Sequence, residues 1–264
     1  MNITLLIFSL VAGLIFMLQA HAQTLSDVEK EKRWAEQVVD TLFDGEAVWL
    51  SAGDHTFLAL EMVADDNVAQ RGIVILHGIG AHPNWEQIIR PLRVELAGNG
   101  WDTLSIQMPI LANDAAQQEY TPLFDEVPNR IDAALEHLRA RGISKVILVA
   151  HSMGAAMAVS YLAGHHNNEI SGAVLIGLNA NLSPQLIDIE SALRNTSIPI
   201  FDIYGADDLP GVIASASGRA IALQIAGQSS SQIMVADANH FFEGKEDQLL
   251  DLINQWFLSV GSGQ

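Results

Sequence analysis

Ser152 is the residue whose surroundings speak most directly of chemistry. The segment Lys145-Val146-Ile147-Leu148-Val149-Ala150-His151-Ser152-Met153-Gly154-Ala155-Ala156 is an aliphatic run, a serine, and then a row of small residues that opens a helix. A serine hydroxyl becomes a nucleophile when a tight strand-to-helix turn projects it. Small residues two positions before and two after let that turn pack, which gives the pattern G-x-S-x-G. Here Gly154 fills the second small position and Ala150 the first, the mildest departure from glycine. The start of a helix also offers unpaired N–H groups to a developing oxyanion. A serine in this place could instead merely cap the helix.

Nucleophilic chemistry at Ser152 needs a base, an acid to orient the base, and a second oxyanion donor. His240, in Asp237-Ala238-Asn239-His240-Phe241-Phe242, follows an aliphatic run and precedes the last amphipathic pattern, and no other histidine is so placed. An imidazole titrating near neutrality can take the serine proton and return it to a leaving group. The acid is expected after a late strand. Gly177-Leu178-Asn179-Ala180-Asn181 offers only amides there, whereas Gly205-Ala206-Asp207-Asp208 offers two carboxylates. The G-x-x-D spacing selects Asp208 and leaves Asp207 as a turn residue, with Asp202 and Asp237 as weaker alternatives. The loop His77-Gly78-Ile79-Gly80 follows directly on Ile73 to Leu76. Its Ile79 N–H is expected to join that of Met153 as the oxyanion donors, with Gly78 and Gly80 permitting close backbone approach.

These parts must be positioned by a scaffold. From Gly72 onward, short aliphatic runs alternate with helical patterns. Runs at Ile73 to Leu76, Thr103 to Ile106, Val146 to Val149, Ala173 to Ile176, Ile198 to Ile203 and Ile233 to Val235 suit strands covered on both faces. Helical patterns are expected at Pro91 to Ala97, Pro128 to Ala140, Met153 to Ala163, Pro184 to Leu193 and Gly218 to Ala226, with a final one carrying Leu249, Leu252, Ile253 and Trp256. Alternation of this kind predicts a mainly parallel sheet with helices on both faces and a site at the carboxyl ends of the strands. Ahead of it, Ser26-Asp27-Val28-Glu29 has the form of a capping box for one amphipathic helix, and Ala47 to Leu50 with Phe57 to Met62 reads as an antiparallel pair.

The Ser152 segment resembles the nucleophile elbow of the α/β-hydrolase superfamily, where elbows with alanine first occur among bacterial lipases. The chain order Ser152, Asp208, His240 matches that superfamily's order. More narrowly, His77-Gly78-Ile79-Gly80 with Pro83-Asn84-Trp85 resembles a family of exported bacterial α/β-hydrolase-like proteins known only as a domain of unknown function. The superfamily resemblance implies a serine hydrolase acting on carboxylic esters through an acyl-enzyme, with thioesters, amides and lactones open to the same parts. A non-catalytic envelope binding protein on the same fold is the rival class. No cofactor is implied, and no metal-ligand spacing, phosphate loop or dinucleotide fingerprint is present. The connections Gly177 to Ser197 and Pro109 to Val127 are too short or too polar for a large lid, which predicts a minimal cap or none. An open pocket for short acyl groups follows, with Leu111, Tyr120, Leu123 and Phe124 as one wall.

Composition bounds the rest. A chain of 264 residues suits one α/β domain, expected over residues 23–264. A formal charge of -18 repels phosphate backbones, so a nucleic-acid partner is excluded in favour of a small ester. Ile3 to Leu18 is apolar and is followed by Ala20-His21-Ala22, a small-x-small pattern, so residues 1–22 read as a signal peptide and the mature protein as periplasmic or secreted, with no stable membrane insertion after cleavage. A retained N-terminal anchor is the alternative. There is no cysteine, hence neither disulfide framework nor lipidated cysteine. Oligomeric state is not legible in the sequence.

Overall fold

The computed structural model describes residues 25–66, 70–165, 169–181, 187–227 and 229–261. The expected signal segment, His166 and the first residues of the helix expected from Pro184 lie outside them. Eight strands form one sheet: β1 (Glu46–Ala52), β2 (His55–Met62), β3 (Arg71–Leu76), β4 (Asp102–Ile106), β5 (Lys145–His151), β6 (Ile170–Ile176), β7 (Ile200–Asp207) and β8 (Ser231–Asn239). Their order is β1-β2-β4-β3-β5-β6-β7-β8. β2 pairs antiparallel with β1 and with β4, and every pairing from β4 to β8 is parallel.

The two-residue period of the strands divides the core into two halves. Val74, Leu76, Leu148, Ala150, Ala173 and Leu175 face one side, while Ile73, Ile75, Ile147, Val149, Val174 and Ile176 face the other. The first face is covered by α3 (Val127–Ala140), α4 (Met153–Gly164), α5 (Ile189–Arg194) and α6 (Pro210–Ala226). The second is covered by α2 (Ile89–Gly98) and α7 (Glu246–Gly261), through Ile89, Leu92 and Leu96 on one helix and Leu249, Ile253 and Trp256 on the other. Burial on both faces is why these strands read as unbroken aliphatic runs.

Three expectations are corrected. The N-cap of α1 (Val28–Asp40) is Asp27, whose carboxylate accepts from the Lys30 N–H at 2.9 Å. Ser26 instead hydrogen-bonds Glu31 and the Ile110 carbonyl. Glu31 is buried and takes a bidentate pair from Arg130, with both N···O distances 2.9 Å, so α1 is tied to α3 by charge, while Ala35 and Val38 pack it on Leu58 and Leu60 of β2. Second, α6 begins at Pro210, eight residues before the expected start. Gly211 and Gly218 obscure it because glycine disfavours helix interiors, but both pack where a Cβ would run into Asn179 and Glu190. Third, the connection from β4 to α3 contains a 3₁₀ stretch at Gln117–Glu126, and Tyr120 and Leu123 turn into the core there, leaving them unable to wall a pocket.

Candidate active site

Ser152 stands between the end of β5 and the first turn of α4 with φ 58° and ψ -122°. A positive φ is costly for a residue with a Cβ and persists only where the surroundings impose it. Here the Ser152 N–H donates to the Ile176 carbonyl at 2.8 Å, and Gly154 lies so close to β3 that a Cβ there would sit 2.5 Å from the His77 carbonyl oxygen and 2.6 Å from that of Leu76. Ala150, fully buried, fills the first small position. The turn is therefore set by packing, and it leaves the serine hydroxyl partly exposed.

The hydroxyl meets His240. Nε2 of His240 lies 2.9 Å from Ser152 Oγ, and Nδ1 lies 2.5 Å from Asp208 Oδ1. Of the adjacent carboxylates, Asp208 is buried and joins this line while Asp207 is exposed at the end of β7. Asp208 also accepts from the N–H groups of Leu209, at 2.7 Å, and Gly205, at 3.3 Å. Burial pushes its carboxyl up, but the hydrogen bond and charge of His240 and these two amides outweigh burial and hold it below the usual value. Asp202 takes no part: it is buried against Arg219, with N···O 2.7 Å, and accepts from Gln232. Asp237 is exposed on β8.

Gly177 was not singled out by its sequence context, yet it decides whether His240 fits. Its φ is 61°, and a Cβ added there would lie 2.9 Å from both Cε1 and Nδ1 of the imidazole. Its only sequence signal is a glycine at the end of a buried strand. Gly205 plays a related part, since a Cβ there would collide with the Ala238 carbonyl where β7 and β8 slip in register.

The loop after β3 is pressed against the serine. A Cβ at Gly78 would fall 2.8 Å from Ser152 Cβ, and Gly80 has φ 69°. His77 beneath it is buried; its Nδ1 donates to the Gly78 carbonyl at 2.8 Å, and its Nε2 accepts from the Met108 N–H at 2.9 Å and from the Gln107 amide at 3.0 Å. Burial drives its pKa down to about 3, so it is neutral with the proton on Nδ1. The Gly78 carbonyl and the Ile79 N–H belong to one planar trans peptide and point in opposite directions. Tethering the carbonyl to His77 turns the Ile79 N–H away from that ring. Met153, the first residue of α4, contributes an N–H that has no acceptor within its own helix.

His151 packs behind His240, with ring centroids 4.7 Å apart. It is buried, its Nε2 donates to the His240 carbonyl at 2.9 Å, and burial lowers its pKa to about 4. His55 and His137 contact Glu31 at 3.1 Å and Glu61 at 3.2 Å. His165 closes α4, with Nδ1 3.2 Å from the Tyr161 carbonyl. Among the described residues no group of three or more His, Asp or Glu side chains could hold a metal ion, and no helix is long and apolar enough to cross a membrane.

This architecture and this elbow are those of the α/β-hydrolase fold. Residues 17–123 and 114–259 match the family described as "Protein of unknown function (DUF3530)", and the chain belongs to that family. No curated protein is similar enough in sequence to match the chain. Among solved structures, Est1E from Butyrivibrio proteoclasticus superposes with a TM-score of 0.65 at 12% identity, covering 82% of this chain and 99% of its own. The dienelactone hydrolase from Anabaena variabilis has a TM-score of 0.65 at 23% identity, with coverage of 81% and 96%. A Xanthomonas campestris protein described as a serine hydrolase without lid has a TM-score of 0.62 at 16% identity, with coverage of 81% and 93%. These likenesses establish the fold.

Proposed function

We propose that the protein is a serine hydrolase acting on carboxylic esters of short acyl groups. The observation that carries this reading is the unbroken line from Asp208 through His240 to Ser152, at 2.5 and 2.9 Å. His240 Nε2 takes the Ser152 proton as Oγ attacks the carbonyl carbon, and the tetrahedral oxyanion accepts from the Met153 and Ile79 N–H groups. The imidazolium, steadied by Asp208, returns the proton to the departing alkoxide. Water deprotonated by His240 then attacks the acyl-serine, releasing the carboxylic acid and restoring the hydroxyl. Several of the structural relatives are esterases or hydrolases by title, which supports the class without extending to substrate. The apolar run Ile3 to Leu18 and the Ala20-His21-Ala22 pattern support export of the mature chain.

The test is labelling of the purified protein by a fluorophosphonate, which reports an activated serine whatever the substrate. One label per chain, carried on Ser152 and lost in Ser152→Ala, is expected. Absence of labelling in a folded wild-type protein refutes the reading.

A further inference from the structure

A cavity of about 600 Å³ lies between α1 and the loop after β3, lined among others by Trp34, Gln37, Thr41, His82, Asn84 and Trp85. Ser152 and His240 do not line it, and the loops that follow β3 and β8 connect it to them. His82 is four residues beyond Gly78, which limits their Cα separation to about 15 Å. On the other side Gln87, also in the lining, donates to Glu243 at 2.6 Å, and Glu243 is three residues beyond His240. The cavity is thus held between the two loops that carry the Ile79 N–H and the imidazole.

Its walls have a definite chemistry. His82 stands edge-on between two indoles, with centroids 5.5 Å from Trp34 at 74° and 5.4 Å from Trp85 at 76°. Burial lowers the pKa of His82, and its Nδ1 accepts from the Asn84 N–H at 3.2 Å, so the ring is neutral with its donor on Nε2. Asn84 Oδ1 is engaged by Arg93 at 2.8 Å, which leaves the amide nitrogen as a donor, and Gln37 adds a second amide from the exposed face of α1. The lining also holds the Glu86 carboxylate, and aromatic faces, amides, a hydroxyl and a carboxylate acceptor together suit a ligand with C–H faces and many hydroxyl donors. No cationic side chain lines the cavity, so an anion has no counter-charge there. An aromatic cage for a quaternary ammonium is disfavoured too, because Lys30 Nζ already lies 4.4 Å from the centroid of the Trp34 ring.

We propose that this cavity binds a neutral saccharide, and that the ester cleaved at Ser152 is carried on that saccharide. The second half rests on the esterase reading above; the first does not. Two measurements keep them apart. In the full chain carrying Ser152→Ala, tryptophan fluorescence is titrated with xylotriose, maltotriose and triacetylchitotriose, and with choline and inorganic phosphate. Saturable binding of at least one trisaccharide is expected, weakened about tenfold or more by Trp85→Ala and by Gln37→Ala, the latter at an exposed helical position that does not threaten folding. No saturable change with any trisaccharide, an affinity indifferent to both substitutions, or preferential binding of choline or phosphate overturns the saccharide site. In the chain with Ser152 intact, kcat/KM for acetylated xylotriose relative to p-nitrophenyl acetate is expected to fall about tenfold in Gln37→Ala, and an unchanged ratio overturns the link between cavity and ester. Saccharide binding without hydrolysis of either ester refutes the esterase reading alone, whereas hydrolysis of p-nitrophenyl acetate without saccharide binding refutes the cavity alone.

Discussion

Gly177 lies under the imidazole of His240 so closely that a single added methyl group at residue 177 would stand 2.9 Å from two ring atoms. The glycine is at the end of β6 and the histidine just past β8, and between them β7 delivers Asp208 to Nδ1 of the ring. Gly177→Ala therefore displaces the base while leaving all three functional side chains in the sequence. A misplacement of about 1 Å costs on the order of a hundredfold in rate. The expected result is a loss of that size in kcat for p-nitrophenyl acetate with the circular dichroism spectrum retained.

The two adjacent carboxylates separate cleanly. Asp208→Asn removes the charge beside Nδ1 and favours the wrong tautomer of His240, which costs roughly 10⁴ in the protease precedent. Asp207→Asn alters an exposed side chain and is expected to stay within about twofold. Comparing kcat of the two purified variants checks the assignment, and a crippled Asp207 variant reverses it.

His77 should govern the oxyanion loop through the Gly78–Ile79 peptide. With His77→Ala the tether on the Gly78 carbonyl is lost, and the Ile79 N–H is no longer held in place. Loss of one oxyanion donor costs roughly 10²–10³ in kcat. The expected signature is a fall in kcat with KM little changed, and an undiminished kcat shows that the tether is dispensable.

Acid should destabilise the protein before its carboxylates titrate. His77 and His151 have folded pKa values lowered to about 3 and about 4, against an ordinary value of 6.5. Between those limits the unfolded chain binds protons that the folded chain refuses, so stability is full above about pH 6.5 and falls as pH drops toward 4. Denaturant unfolding at pH 7.5 and pH 5.0 is expected to show a loss of about 1–2 kcal/mol per histidine. His77→Gln should reduce that pH sensitivity.

A short-acyl preference is the remaining expectation. Tyr120 and Leu123, expected as part of one pocket wall, are buried in the core instead. Among the described residues the connection from β6 to β7 holds one short helix, α5, too little to shelter a long chain, so kcat/KM is expected to peak at short esters and to show no jump when longer esters aggregate. A preference rising into long chains with interfacial activation contradicts it.

The sequence by itself determined the strands and the elbow that short local patterns mark. Unbroken aliphatic runs marked β3, β5 and β6 because burial on both faces requires them, and the small residues around Ser152 marked the elbow because the turn has no room for larger ones. The order of Ser152, Asp208 and His240 came from the same local patterns. Tertiary structure alone decided what depends on approach across the sheet. Gly177 makes room for an imidazole 63 residues away (240 less 177), and His77 reaches Met108 and Gln107 on a neighbouring loop. The first eight residues of α6 were hidden for a related reason. Gly211 among them, and Gly218 at the expected start, look like helix breakers in sequence, and the side chains of Asn179 and Glu190 occupy the space where their Cβ atoms would lie. Periodicity records which face of an element is buried, but it carries no record of which distant atoms occupy the space beyond that face.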